Sequence, residues 1–105
     1  MSDVIYLVQG DDSNALGNKI SIKLTSNLDL TGFTAVFQLE HYRQEWDDIT
    51  SKKLEVVIPR SVTKKLTVGS HKGGLKIYDK KGLAKTIIND IKFYVSREVV
   101  ENARD

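Results

Sequence analysis

Three sets of residues in this 105-residue sequence are of types that could do chemistry. The acidic pairs Asp11–Asp12 and Asp47–Asp48 offer carboxylate oxygens that suit Ca²⁺ or Mg²⁺ if two loops converge. Their spacing matches no known ion-binding loop, and aspartates that bond local backbone in turns account for both pairs. His41 and His71, with Ser70 or an aspartate, could support acyl transfer. A catalytic triad is defined by geometry, however, and no Gly-x-Ser-x-Gly elbow is present, so both histidines are expected in loops or at strand ends. The doublets Lys52–Lys53, Lys64–Lys65 and Lys80–Lys81 fall at expected turns. They could form a basic rim for nucleic acid or act as solvated gatekeepers of sheet edges. With no interleaved aromatic ladder the second reading is preferred, and nucleic acid is not the expected partner. The stretch GSHKGG lacks the Walker spacing and a following helix, so it is not read as a phosphate loop. No catalytic, cofactor-binding or metal-ligating residue is therefore expected, and the chain reads as a non-enzyme.

The length fits one domain, because single cores take on the order of 100 to 150 residues. An apolar fraction of 40% is that of a globular chain and not of a disordered one. Cysteine is absent, which removes disulfides and thiolate chemistry. Sixteen Lys and Arg against fourteen Asp and Glu leave a net charge of +2, too small to name a partner. No apolar run reaches the roughly 18 residues of a membrane span. The N-terminus has no secretory pattern either, so a cytosolic chain without a membrane partner is expected.

The elements that would position these residues read as short strands. Asp3–Gln9 is apolar on both parities, as for a strand contacted on both faces or swapped onto a neighbour. Ile20, Ile22 and Leu24 alternate with polar residues, as do Phe33, Ala35, Phe37 and Leu39, and then Leu54, Val56 and Ile58 before Pro59. The segment from His41 to Lys53 reads as a loop with at most a short strand near Trp46–Ile49. The connection after Pro59 can hold one helical turn capped by Ser61. GGLKIYDKKGLAKTI reads as a hairpin, with Leu75 and Ile77 inward, Lys76 and Tyr78 outward, and Gly82 at the positive φ of its turn. The last strand spans about 85–95, with Ile91, Phe93 and Val95 on one face and a bulge at Asn89–Asp90. The sum is all-β: an immunoglobulin-like antiparallel β-sandwich of six to eight short strands with at most a one-turn helix. The domain covers residues 1–96, and 97–105 form a polar tail.

Aromatic residues outside that core read either as an interface or as the tyrosines common on ordinary sheet faces. Tyr78 and Tyr94 point outward by parity, Tyr42 and Trp46 lie in the long polar loop, and Val4 and Tyr6 belong to the doubly apolar first strand. Amphipathic aromatics suit protein interfaces because they bury large area and keep a polar tip.

LDLTGFTAVFQLE (28–40), LEVVIP (54–59), GGLKIYDKKGLAKTI (73–87) and IKFYVSREV (91–99), with a QGD at Gln9–Asp11, follow one another in an order that covers nearly the whole chain. In that order they resemble the immunoglobulin-like N-terminal domain of phage baseplate upper proteins and related tailed-phage structural proteins. The resemblance implies a non-enzymatic virion structural or assembly protein of a phage or prophage, in a baseplate, tail or head accessory. It would be assembled in the bacterial cytoplasm and contact further copies of itself or other virion proteins. The sequence ends after the sandwich, without a receptor-binding or trimerising extension, so a stand-alone adaptor or accessory is expected. The alternative is a small binding module for a host protein or nucleic acid.

Overall fold

The computed structural model describes residues 4–24 and 29–99. Among them are seven strands: β1 (Val4–Val8), β2 (Ile20–Lys23), β3 (Thr34–Leu39), β4 (Tyr42–Trp46), β5 (Lys53–Val56), β6 (Gly69–Tyr78) and β7 (Ala84–Ser96). One helical turn, α1 (Arg60–Thr63), and a 3₁₀ turn at Ala15–Gly17 complete the regular structure. A five-stranded sheet in the order β1-β7-β6-β3-β4 faces a two-stranded sheet of β2 and β5, giving the expected all-β sandwich. Residues 97–99 follow β7 without strand structure, and the rest of the expected tail lies outside the described residues.

Alternation builds the core. Ala35, Phe37 and Leu39 of β3, Leu75 and Ile77 of β6, and Phe93 and Val95 of β7 turn inward. They meet Ile22, Leu54 and Val56 of the smaller sheet. Two strands cannot cover five, and Leu30, Ile49, Ile58 and Leu66 from the connections fill the remainder. At Gly73 of β6 the rings of Phe37 and Phe93 close over the backbone from both neighbouring strands, centroids 6.0 Å apart and edge-on. A Cβ there would stand 2.9 Å and 3.0 Å from the two rings and 3.3 Å from the Gln38 carbonyl.

β7 reaches its length through register shifts against β6. Asn89 and Asp90 face the single Gly74, and Ile87 is a second extra residue, so Ile88 and Ile91 both pack toward the core despite their odd separation. The β6–β7 turn is built by Asp79, whose Oδ1 accepts the N–H groups of Lys81 and Leu83 at 2.9 Å each, with Gly82 at φ 86°.

Several expectations are corrected. The segment after Leu39 is not a loop: β4 returns at once through a turn at Glu40–His41, with Glu40 at φ 54° in place of a glycine. Its polar composition hides a strand whose Tyr42, Gln44 and Trp46 are half-buried while Arg43 and Glu45 face solvent. β1 is covered on one face only, with Ile5 and Leu7 inward and Val4, Tyr6 and Val8 exposed. It also runs parallel to β7, against the antiparallel pairing of the other strands. GSHKGG is the first half of β6. Ser61 does not cap α1; the N-cap is Pro59, and the Arg60 N–H donates to Asp12 Oδ1 at 2.8 Å.

That bond belongs to a clamp between the Gln9–Ser13 loop and residues 58–66. Gln9 Nε2 donates to the Leu66 carbonyl at 2.8 Å, the buried Thr63 hydroxyl to the Asp11 carbonyl at 2.8 Å, and the Ile58 N–H to Ser13 Oγ at 2.7 Å. Asp12 also pairs with the Arg60 side chain, Oδ2 to Nε at 3.1 Å.

Replacing Gly73 with alanine forces a methyl group against two rings and a backbone oxygen. We expect Gly73→Ala to destabilise the protein by about 1–3 kcal/mol, read as a lower urea midpoint at an unchanged slope.

Candidate functional site

On the outer face of the larger sheet, beside its β1 edge, a shallow cleft of about 560 Å³ lies among Val4, Tyr6, Ser70, Lys72, Lys92 and Tyr94. Each is placed by parity. With Phe93 and Val95 inward, Lys92 and Tyr94 must point out. The parallel register then sets Tyr6 beside Tyr94 and Val4 beside Lys92. The antiparallel register sets Ser70 beside Tyr94 and Lys72 beside Lys92. The two tyrosine rings lie 6.3 Å apart at a tilt of 57°, and Tyr6 is 73% exposed. Two lysines directly opposite one another repel, so this aromatic pair sits next to a concentrated positive charge.

The sequence-predicted interface residues therefore divide. Val4, Tyr6 and Tyr94 come together here. Tyr78 lies on the same face in a separate hollow with Val36, Gln38, Arg43 and Lys76, which bury Val36 although it faces away from the core. Tyr42 and Trp46 do not join them. Both pack against the core, and the Tyr42 hydroxyl donates to the Val57 carbonyl. Burial pushes the Tyr42 phenol pKa up.

The candidate catalytic residues are likewise separated. Ser70 and His71 are neighbours in β6 and so point to opposite faces, which removes the Ser70–His71 pairing. His41 occupies the exposed β3–β4 turn. His71 closes one end of the sandwich beside a cleft of about 440 Å³ shared with Tyr42, Lys65 and Leu66. Its Nδ1 meets Glu40 Oε1 at 2.8 Å and its Nε2 meets the Thr67 carbonyl at 2.7 Å. Both partners accept, so both ring nitrogens donate only in the imidazolium form. The Glu40 hydrogen bond first, and the Thr67 carbonyl second, hold the His71 pKa above its ordinary value. The cluster was not visible in sequence because it needs Glu40 in a left-handed turn and the β3–β6 register at once.

Among the described residues no group of three or more His, Asp or Glu side chains is placed to hold a metal ion. Asp29 accepts the Thr31 N–H at 3.0 Å, and the bonds from Thr31 hold its carboxyl below the usual range, helped by Lys80 and Lys52. One lysine from each of two doublets thus faces a carboxylate, and the Lys80 stem lies across Gly32.

A histidine whose pKa rises on folding stabilises the protein fully below its unfolded value, 6.5, and loses that contribution as pH climbs through the folded value. We expect a higher Tm at about pH 6 than at about pH 9, with His71→Gln flattening the difference. An unchanged pH profile in that variant would assign the slope to other groups.

Compared with known proteins, the chain matches no family model and no curated sequence.

Proposed function

We propose that the chain is a non-enzymatic structural or assembly domain of a phage or prophage virion, working through protein–protein contacts on the outer face of its larger sheet. The observation that carries this reading is the exposed Val4–Tyr6–Tyr94 cluster beside an open sheet edge. Large amphipathic side chains gathered on one face are the composition of interface centres, where a few aromatics hold most of the binding energy. The order of motifs resembling baseplate upper proteins supplies the virion context. Further copies of the chain or other virion proteins are the partners, met in the bacterial cytoplasm during assembly, and the role needs no cofactor.

A second reading is favoured by one feature. Lys72 and Lys92 stand opposite each other next to the tyrosine pair, and a single-stranded nucleic acid could stack on the rings while its phosphates meet the lysines.

A tagged chain expressed in cells producing the corresponding phage is expected to purify with the particles. The Tyr6→Ala/Tyr94→Ala variant should enter them at least ~10-fold less while its Tm moves by only a few degrees. Absence of the parent chain from particles rejects the virion reading. Oligonucleotide binding that weakens steeply with salt would establish the second reading in its place.

A further inference from the structure

The larger sheet ends in two unlike edges. At β4, Arg43 and Glu45 pair on the outer face at 2.7 Å. On the other side of that strand Gln44 ties to β5 and the residue that follows it, donating to the Glu55 carbonyl at 3.1 Å and accepting the Val57 N–H at 3.0 Å. This edge is charged and anchored. At β1 the strand is Val-Ile-Tyr-Leu-Val, with no charge and no proline, and it pairs with β7 alone among the described residues. Unprotected apolar edges of this kind are what soluble sheets ordinarily avoid.

Backbone direction decides which residues the edge offers. The Gln9 N–H donates to the Ser96 carbonyl. By the alternation of a parallel ladder, Ile5 and Leu7 then turn their N–H and C=O toward β7, and Val4, Tyr6 and Val8 turn theirs to the open side, where the Val8 carbonyl already accepts the Asp11 N–H at 3.1 Å. The residues with outward backbone groups are thus the same ones whose side chains form the exposed face.

We propose that β1 pairs antiparallel with β1 of a second copy of this chain, about a two-fold axis through Tyr6. The strand reads nearly the same in both directions, so the pairing is self-complementary, as an isologous interface requires. Val4 meets Val8 of the partner subunit, Ile5 meets Leu7 of the partner subunit, and Tyr6 meets its own equivalent. Tyr6 exchanges both backbone bonds with its equivalent, the hydrogen-bonded pair of an antiparallel ladder, and the Val8 N–H donates to the carbonyl of the partner's Val4. On the outer face Tyr94 and Tyr6 continue into the partner's pair as one row of four rings across the axis. No like charges are brought opposite one another by the new ladder, because β1 carries none. The contact is small beside the roughly 1,600 Å² of a standard interface. The free dimer is therefore weak, with a dissociation constant on the order of micromolar or higher, and it tightens where other contacts already concentrate the copies. The inference names the partner that the assembly reading leaves open and rests on that reading for its biological use.

The chain has no cysteine, so single cysteines report the register directly. A hydrogen-bonded antiparallel pair spaces its Cα atoms about 5.5 Å apart, within the roughly 4.4–6.8 Å that a disulfide spans. Under mild oxidation Tyr6→Cys is expected to give at least ~10-fold more covalent dimer than Val4→Cys or Val8→Cys alone. A mixture of the Val4→Cys and Val8→Cys chains is expected to recover the cross-link. All these side chains are exposed or at the edge, so unchanged unfolding curves should accompany each variant. Equal yields at all three positions, or a parent chain that stays monomeric by light scattering up to about 1 mM, would overturn the pairing. If the chain enters particles but the mixed Val4→Cys and Val8→Cys chains, which keep both tyrosines, do not cross-link within them, the pairing falls and the virion reading stands. If it cross-links but never enters particles, the pairing stands and the virion reading falls.

Discussion

The slot at Gly73 is the constraint on which the rest of the larger sheet depends. Phe37 and Phe93 belong to strands on either side of β6, and their rings can meet only because the strand between them has no Cβ at that point. An edge-on aromatic pair adds about 0.5–1.5 kcal/mol beyond its buried area, yet its larger effect is geometric. Once Gly73 must face inward, Ser70 and Lys72 face outward, and the β6–β7 register turns Lys92 and Tyr94 out with them. The parallel pairing passes that choice to Val4 and Tyr6. The composition of the exposed surface is thus decided by packing on the opposite side of the sheet.

Much of this was legible wherever burial alone selects the side chain. The alternation in β2, β3, β5 and the first turn-flanking half of the β6–β7 hairpin could be read because their inward positions are Leu, Ile, Val, Ala and Phe. Tyr78 and Tyr94 were placed outward for the same reason. β4 escaped because its inward positions include Gln44 and Tyr42, whose polar atoms are satisfied by backbone at Glu55 and Val57. No local pattern announces such partners. β1 was ambiguous because an apolar residue at every position carries no period, and only a neighbour from the far end of the chain selects which face is covered. That Tyr6 joins Tyr94 while Trp46 and Tyr42 turn inward is therefore a fact of topology, not of composition.

The polar groups show the same dependence on distant partners. Among the described residues no buried side-chain nitrogen or oxygen lacks a hydrogen bond. The Thr63 hydroxyl, the most enclosed polar group of the core, is satisfied by the Asp11 carbonyl. The clamp from Gln9 to Ser13 therefore substitutes for local capping at α1, whose single turn is too short to hold itself. It also ties the exit of β1 to the segment that covers the open end of the core.

Pairing β1 with β7 has a kinetic cost. Val4 finds Lys92 nearly the whole chain away, so this ladder has a high contact order and closes only after the intervening strands have brought its halves together. During synthesis the first strand leaves the ribosome long before the last one exists. Until then Val-Ile-Tyr-Leu-Val is an unpaired apolar segment on every nascent copy. Folding intermediates on a crowded polysome would then be the stage at which this protein is most exposed to exchange of strands between neighbouring chains.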